Sequence, residues 1–149
     1  MSRLRLALLV LPLLAAACGG GDNNNNVNTP TAPSLGIPYS QTDLRAGTGT
    51  EATNGRRVTV NYTGWLYSTT AADNKGAQFD TSIGRGPFSY LLGGGGVIAG
   101  WERGIPGMRV GGSRKLIIPP ELAYGSAGRP PEIPGNSTLI FEIDLLTVQ

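Results

Sequence analysis

The chain has 149 residues, of which 40% are hydrophobic and 15% are charged, and its formal net charge is +2. Its length allows one domain of about 110 residues beside a non-globular N-terminal part, and its 23 Gly and 11 Pro favour short strands joined by turns over a helical bundle. Near-neutral charge, with no basic cluster longer than Arg56-Arg57, argues against a nucleic-acid partner.

Residues 1–17 have the pattern of an export signal. Arg3 and Arg5 form a basic start, an apolar run follows from Leu6 to Leu14, and three alanines precede Cys18. The apolar run is shorter than the ~20 residues that a membrane-spanning helix needs. We therefore predict that residues 1–17 are a signal peptide that is removed on export.

Cys18 is the only cysteine, so it cannot form an intramolecular disulfide. Its position directly after three alanines resembles a bacterial lipobox, in which the cysteine becomes the lipidated N-terminus, although Ala15 stands where such motifs most often have Leu. Lipidation of Cys18 would anchor the protein to a membrane. The alternative is an ordinary signal peptide, which would leave a free thiol and a soluble periplasmic or secreted protein.

Residues 18–38 are predicted to be the lipidated cysteine followed by a disordered tether. Between Gly19 and Leu35 the sequence is mostly Gly, Asn, Thr and Pro, so it cannot bury enough apolar surface to offset its chain entropy. Gly20 is not the Asp that typically retains lipoproteins in the inner membrane, so we expect the outer membrane, facing the periplasm. The folded domain is then expected over residues 39–149.

Three later segments have the residue pattern of β-strands. Val58–Tyr67, Ser113–Ile118 and Thr138–Val148 alternate apolar with polar positions and are rich in β-branched or aromatic residues. One short helix is predicted at Gly100–Ile105, because Pro106-Gly107 would stop it. These elements predict an α+β fold in which an antiparallel sheet covers one small helix. The turn-rich segments 69–76 and 126–136 are expected to be loops, the second exposed and semi-rigid.

The residues available do not fit conventional hydrolase or nucleotide chemistry. The chain has no His and one Cys, which excludes zinc sites, His-based triads and Cys–His nucleophiles, so no metal and no cofactor are expected. Gly93–Gly96 lacks the Lys-Ser/Thr pair and the long helix of a phosphate-binding loop. What remains is a concentration of aromatic residues beside turn glycines, which composition alone does not separate into core and pocket.

The order of the sequence motifs resembles that of the FKBP-type peptidyl-prolyl cis-trans isomerases over nearly all of residues 39–149. The matching motifs are Val60-Asn-Tyr-Thr-Gly-Trp-Leu66, Gln78-Phe-Asp-Thr-Ser82, Pro87-Phe88, Gly93, Val97-Ile-Ala-Gly-Trp-Glu102, Met108-Arg-Val-Gly111, Arg114-Lys-Leu-Ile-Ile-Pro119, Ala123-Tyr-Gly125 and Leu139-Ile-Phe-Glu-Ile-Asp-Leu-Leu146. The resemblance implies the FKBP-like α+β fold, a twisted antiparallel sheet of five to six strands wrapped around one short helix.

The resemblance also implies a set of site residues. The catalytic residues would be Tyr62, Asp80, Trp101, Tyr124 and Phe141, and the substrate-binding residues Phe79, Phe88, Val97, Ile98 and Ile133. The Trp101 indole would be the floor on which the substrate prolyl ring rests. The Ile98 N–H and the Tyr124 hydroxyl would each hold a substrate carbonyl, and Asp80 would be held by Tyr62 or by an arginine such as Arg85. For the wall residues Tyr62, Phe88 and Phe141, pure core packing is the alternative.

Such a site needs no acid, base or nucleophile. Twisting an X–Pro amide breaks its conjugation and shrinks its dipole, so a pocket that strips water from the carbonyl penalises the planar ground state more than the twisted transition state. The resemblance implies a monomeric isomerase that acts on proline-containing polypeptides and binds macrolide inhibitors of the FKBP class. The predicted export signal implies that these polypeptides are exported proteins. The alternative is a membrane-tethered module that grips proline-containing peptides without catalysis.

Overall fold

The computed structural model describes residues 33–149, so the predicted signal peptide, Cys18 and most of the predicted tether lie outside the described residues. Six strands and one helix follow one another in the described part: β1 Ser40–Arg45, β2 Arg57–Tyr67, β3 Lys75–Thr81, β4 Phe88–Leu91, α1 Ala99–Gly104, β5 Ser113–Ile118 and β6 Leu139–Val148. Short 3-10 turns lie at Ala72–Asn74 and Pro120–Leu122. None of the helical segments within residues 33–149 has the length and apolar character needed to cross a membrane.

The six strands form one antiparallel sheet with the order β1-β5-β6-β2-β3, and β4 also pairs with β2. The 11-residue strand β2 is central, since β6 pairs along nearly all of one edge while β4 and β3 share the other. Both the predicted fold class and the three predicted strands are confirmed. β1, β3 and β4 complete the sheet.

Strand β6 shows the predicted alternation with one exception. Every second residue from Leu139 to Leu145 is buried in the core cluster, and Glu142 on the other face is half-exposed. Ile140 also lies on that other face, yet it is 0% exposed. Trp65 pairs with it in β2, and the Lys75 ammonium lies 4.5 Å from the centroid of that indole ring and 2.5 Å from the Glu142 carboxylate. The start of β3 thus covers part of the outer face.

Helix α1 lies very close to strand β5, because two of its glycines face the strand. A Cβ at Gly100 would lie 2.4 Å from Ile118 Cγ2, and a Cβ at Gly104 would lie 2.6 Å from Leu116 Cδ2. A larger residue at either position would require the helix or the facing side chains to shift. The helix spans Ala99–Gly104, one residue earlier than predicted at each end, with Ile98 as its N-cap and Ile105 as its C-cap.

The carboxyl end of α1 is held by Arg114, which is buried in strand β5. Its guanidinium donates to the Gly104 carbonyl at 2.7 Å, to the Pro106 carbonyl at 3.3 Å and to the Asp43 carboxylate at 2.6 Å. These bonds satisfy carbonyls that the helix itself leaves unpaired, and the positive charge suits a helix C-terminus. Arg114 therefore fixes the helix that carries Trp101.

Candidate active site

Six aromatic side chains meet on the face of the sheet that packs against α1. They are Tyr62 on β2, Phe79 on β3, Phe88 and Tyr90 on β4, Trp101 on α1 and Phe141 on β6. The Trp101 ring centroid lies 5.2 Å from that of Tyr62, 5.3 Å from that of Phe141 and 6.3 Å from that of Phe88. All three contacts are T-shaped, the arrangement that aromatic quadrupoles favour.

The aromatic cluster is continuous with the core and reaches the surface at one side. Trp101 is 0%, Phe141 1% and Tyr62 5% exposed, whereas Phe79 and Phe88 are half-buried and pack against these three from the outside. Trp101 therefore lies at the base of the cluster, with the half-buried rings above it. The indole predicted to be the floor of the site is thus enclosed by the rings predicted to be its walls.

Strand β3 turns two consecutive residues, Phe79 and Asp80, toward this cluster. In a regular strand, neighbouring side chains point to opposite faces. The register between β3 and β2 shifts at Phe79, which is the extra residue of a bulge. As a result the Phe79 ring packs 5.5 Å from that of Phe141, and the Asp80 carboxylate reaches the Tyr62 hydroxyl.

Gly64 of β2 provides the space for this pair of rings. A Cβ at that position would lie 2.6 Å from Phe79 Cζ and 2.8 Å from Phe141 Cε1. Side-chain carbons do not approach so closely, so any substitution would displace at least one ring. A glycine in the middle of a long central strand is thus explained by the site rather than by the backbone.

The Asp80 carboxylate is buried and fully paired, with 4% of its side chain exposed. The Tyr62 hydroxyl donates to its Oδ2 at 2.6 Å, and the Thr81 N–H donates to its Oδ1 at 2.9 Å. The Arg85 guanidinium forms an ion pair with the same Oδ1 and also donates to the Thr81 carbonyl. Both partners predicted for Asp80, Tyr62 and Arg85, therefore hold it together. A buried charge is tolerated only with such complete pairing.

The two site tyrosines keep their hydroxyl protons at physiological pH. Burial, followed by the hydrogen bond to Asp80, raises the pKa of Tyr62 well above its ordinary value. Burial also raises the pKa of Tyr124, which a hydrogen bond from Arg129 partly offsets. Because a guanidinium only donates, the Tyr124 O–H remains free to donate to another acceptor.

Val97 and Ile98 precede α1 and are each 4% exposed. The glycine loop before them is fixed by Glu102, whose carboxylate accepts from the Gly93 N–H at 2.6 Å and the Gly95 N–H at 3.1 Å. Glu102 lies on the same helix as the indole floor. It therefore couples the position of the loop to that of the floor.

The 126–136 segment is mostly exposed, as predicted, but it buries one side chain, since Ile133 is 1% exposed. Arg129 and Ile133 pair through two backbone hydrogen bonds of 2.7 and 3.0 Å. Gly128, at φ +62°, permits this tight closure, because a Cβ there would lie 2.4 Å from the Ile133 carbonyl oxygen. The loop thus holds Ile133 in place against the core cluster.

The predicted site residues of the folded domain lie together, although their roles stay predictions. Buried members of the core cluster are Tyr62, Val97, Ile98, Trp101, Ile133 and Phe141, while Phe79, Phe88 and Tyr124 pack against it and Asp80 is bonded to Tyr62. Sequence reasoning missed the parts played by Tyr90, Glu102 and Arg114. Tyr90 stacks on Phe88 at 5.6 Å. Its alternation with Phe88 along the chain was the available signal.

Within residues 33–149, no three His, Cys, Asp or Glu side chains are grouped so that they could hold a metal ion. The arrangement offers an apolar surface, the Tyr124 hydroxyl as a donor and one buried, neutralised carboxylate. It suits binding and distortion of an apolar group beside a carbonyl. A six-stranded antiparallel sheet around a short helix that carries this cluster defines the FKBP-like class of α+β proteins.

Comparison with known proteins agrees with this class. Residues 48–146 match the family described as FKBP-type peptidyl-prolyl cis-trans isomerase. An "FK506-binding protein" of Neisseria meningitidis serogroup A is 48% identical over 107 residues, which cover 71% of this chain and 92% of that protein. "FK506-binding protein 4" of Rhizopus delemar is 47% identical over 72% of this chain, which matches only 26% of that longer protein. The crystal structure of FkpA from Escherichia coli superimposes with a TM-score of 0.64 at 40% identity, over 82% of this chain and 53% of that one.

The chain therefore belongs to the FKBP-type peptidyl-prolyl cis-trans isomerase family. Family membership at this level of identity supports peptidyl-prolyl isomerase activity.

Proposed function

We propose that this protein accelerates rotation about X–Pro peptide bonds by binding the prolyl ring on Trp101 and stabilising the twisted amide between apolar walls. The observation that carries the proposal is the Trp101-centred aromatic cluster, with Asp80 as the single buried carboxylate at its edge. Apolar walls fit a prolyl ring, and the cluster offers no free charge that would favour a polar ligand.

The mechanism rests on a difference in binding. Rotation about an X–Pro bond meets a barrier of about 18–20 kcal/mol and takes roughly 10–100 s unaided. The planar amide has the larger dipole and loses more when water is removed from its carbonyl. Burial against Phe79 and Phe141 therefore favours the twisted form. No proton is transferred in this step.

Separate groups would orient the substrate. The Ile98 N–H and the Tyr124 hydroxyl would each donate to a substrate carbonyl, and the X–Pro amide would rotate beside Phe79 and Asp80. The Asp80 charge, neutralised by Arg85 and bonded to Tyr62, would act through the local field and by fixing the Tyr62 ring. Phe88, Val97 and Ile133 would complete the walls.

We propose that the substrates are proline-containing polypeptides in the cell envelope. The sequence pattern of residues 1–38 supports this proposal, because it predicts export, lipidation of Cys18 and an outer-membrane location facing the periplasm. A monomeric domain over residues 39–149 would then act at the end of a flexible tether. Relatives named FK506-binding proteins support binding of macrolides of that class to the same apolar cluster.

The experiment is a protease-coupled isomerisation assay on short X–Pro peptides with the full chain. Wild type should accelerate the slow phase. Asp80→Leu, which leaves Tyr62 and Arg85 unpaired, and Phe141→Tyr, which adds a hydroxyl to the apolar wall, should each lower kcat/KM about tenfold or more. Asp144→Leu is the matched control, because Asp144 lies on the outer face of β6 and its carboxylate is half-exposed. It should leave kcat/KM unchanged.

The same assay decides between catalysis and binding alone. All variants are checked for native circular dichroism. A wild-type chain that is folded, binds proline peptides and yet accelerates none of them, whatever residue precedes proline, would show that the protein is a tethered binding module.

A further inference from the structure

An apolar groove lies at helix α1 and the loop that precedes it. It has a volume of about 570 Å³ and is lined by Val97, Ile98, Ala99 and Leu122, with Glu102 and Arg103 at its edge. This volume lies within the range of peptide and small-molecule sites. Val97 and Ile98 line this groove, and the proposed function also places them at the prolyl site, so the two sites would share these residues.

The two charged residues that line the groove, Glu102 and Arg103, have different partners. The Glu102 carboxylate is held by the N–H groups of Gly93 and Gly95 and is therefore partly neutralised. Arg103 is exposed, and its guanidinium carbon lies 4.5 Å from the centroid of the Tyr39 ring. The groove thus has an apolar lining and a positive charge at Arg103, which suits an aliphatic side chain rather than a basic one.

The direction of a bound chain follows from the proposed function. There the X–Pro amide would rotate beside Phe79 and Asp80, on β3, while the Ile98 N–H, directly before α1, would hold a substrate carbonyl. The residue after proline must then leave across Val97 and Ile98. The side chain of the residue after proline would then contact the groove.

We propose that this groove binds the side chain of the residue that directly follows proline, and that it selects large aliphatic residues there in polypeptide substrates. The inference rests on the proposed function for the direction of the chain. It assigns to Ala99 and Leu122 a part in substrate choice, whereas neither touches the proposed reacting bond.

The test compares two X–Pro peptides that differ only in leucine or glycine directly after proline. Isomerisation is followed by exchange NMR, which needs no coupling protease, and affinity by titration of the 15N-labelled full chain. Wild type should favour the leucine peptide about tenfold in kcat/KM. Ala99→Phe, which fills the groove from an exposed helical position, should reduce this preference below about twofold and leave turnover of the glycine peptide unchanged.

Ala72→Phe is the control for the added ring, because Ala72 is exposed and lies in the 3-10 turn beyond β2, outside the groove. It should retain the tenfold preference. Equal turnover and equal affinity of the two peptides in wild type, or a preference that survives Ala99→Phe, would overturn the groove. If wild type accelerates isomerisation of neither peptide but binds the leucine peptide more tightly, the isomerase proposal is wrong and the groove proposal is supported.

Discussion

Gly64→Ala should disturb the site, because strand β2 has no space for a methyl group at this position. The new Cβ would lie 2.6 Å from Phe79 Cζ and 2.8 Å from Phe141 Cε1, whereas carbon atoms in contact are about 3.5–4.0 Å apart. One or both rings must therefore move by roughly 1 Å. Overpacking of this kind lowers the free energy of unfolding by about 1–3 kcal/mol. Replacing glycine by alanine also reduces the conformational entropy of the unfolded chain, which raises the free energy of unfolding by about 0.4–1 kcal/mol. The net loss in the free energy of unfolding should be about 1–2 kcal/mol.

The activity should fall as well, because the displaced rings form the proposed wall beside the twisting amide. A shift of about 1 Å in a positioning group can cost as much as a hundredfold, so we expect kcat/KM to drop at least tenfold. Urea unfolding measures the stability and the peptide assay measures the activity. Gly96→Ala is the control, because a Cβ there would meet nothing within 4 Å. Equal stability and activity of Gly64→Ala and Gly96→Ala would refute the close packing of Phe79 and Phe141.

Three further predictions concern the surroundings of the site. Arg114→Met should lower the free energy of unfolding by about 2–3 kcal/mol, because it leaves buried helix-end carbonyls unpaired, and Arg114→Lys should recover part of the loss; urea unfolding that shows no difference would contradict this. Glu102→Ala should release the amides of Gly93 and Gly95, so their hydrogen exchange should accelerate by at least tenfold, while unchanged protection would show that the glycine loop is held in another way. The pKa of Tyr62 is higher in the folded than in the unfolded chain, so its contribution to stability is complete below about pH 10 and is lost as the pH rises through the folded pKa. Urea unfolding between about pH 8 and 11 should show this decline, and Tyr62→Phe should reduce it; equal slopes in the two proteins would contradict the raised pKa.

The parts of the fold predicted from sequence are the strands with one buried face. Alternation is strong in β2, β5 and β6, because every second side chain reaches the core. Strand β1 lacks this signal, since all six of its residues are exposed at the edge of the sheet. Strand β3 loses it at the Phe79 bulge, and β4 has only four residues. Edge strands, bulged strands and very short strands form because of the strands that they pair with, and a local residue pattern carries no information about those partners.

The site was predicted from the order of motifs rather than from chemistry. Composition did not separate pocket from core, and the structure explains why, since Trp101 and Phe141 belong to one continuous cluster that includes ordinary core residues. The contacts of Arg114 and Glu102 that support the site could not be predicted from the sequence. Arg114 of β5 bonds to the end of α1 and to Asp43 of β1, and Glu102 bonds to a loop that precedes it by several residues. Both hold backbone groups, Arg114 the carbonyls of Gly104 and Pro106 and Glu102 the N–H groups of Gly93 and Gly95, and such partners cannot be recognised from residue identity.

The pH dependence of kcat/KM, measured together with the solvent deuterium isotope effect, shows whether a proton moves during catalysis. The chain contains no imidazole, and the pKa values of Tyr62 and Tyr124 are raised above the ordinary tyrosine value. Catalysis by distortion alone predicts a constant kcat/KM between about pH 6 and 9 and an isotope effect close to one. A bell-shaped profile with an isotope effect of about two or more would mean that a proton moves in the transition state, and it would contradict the mechanism.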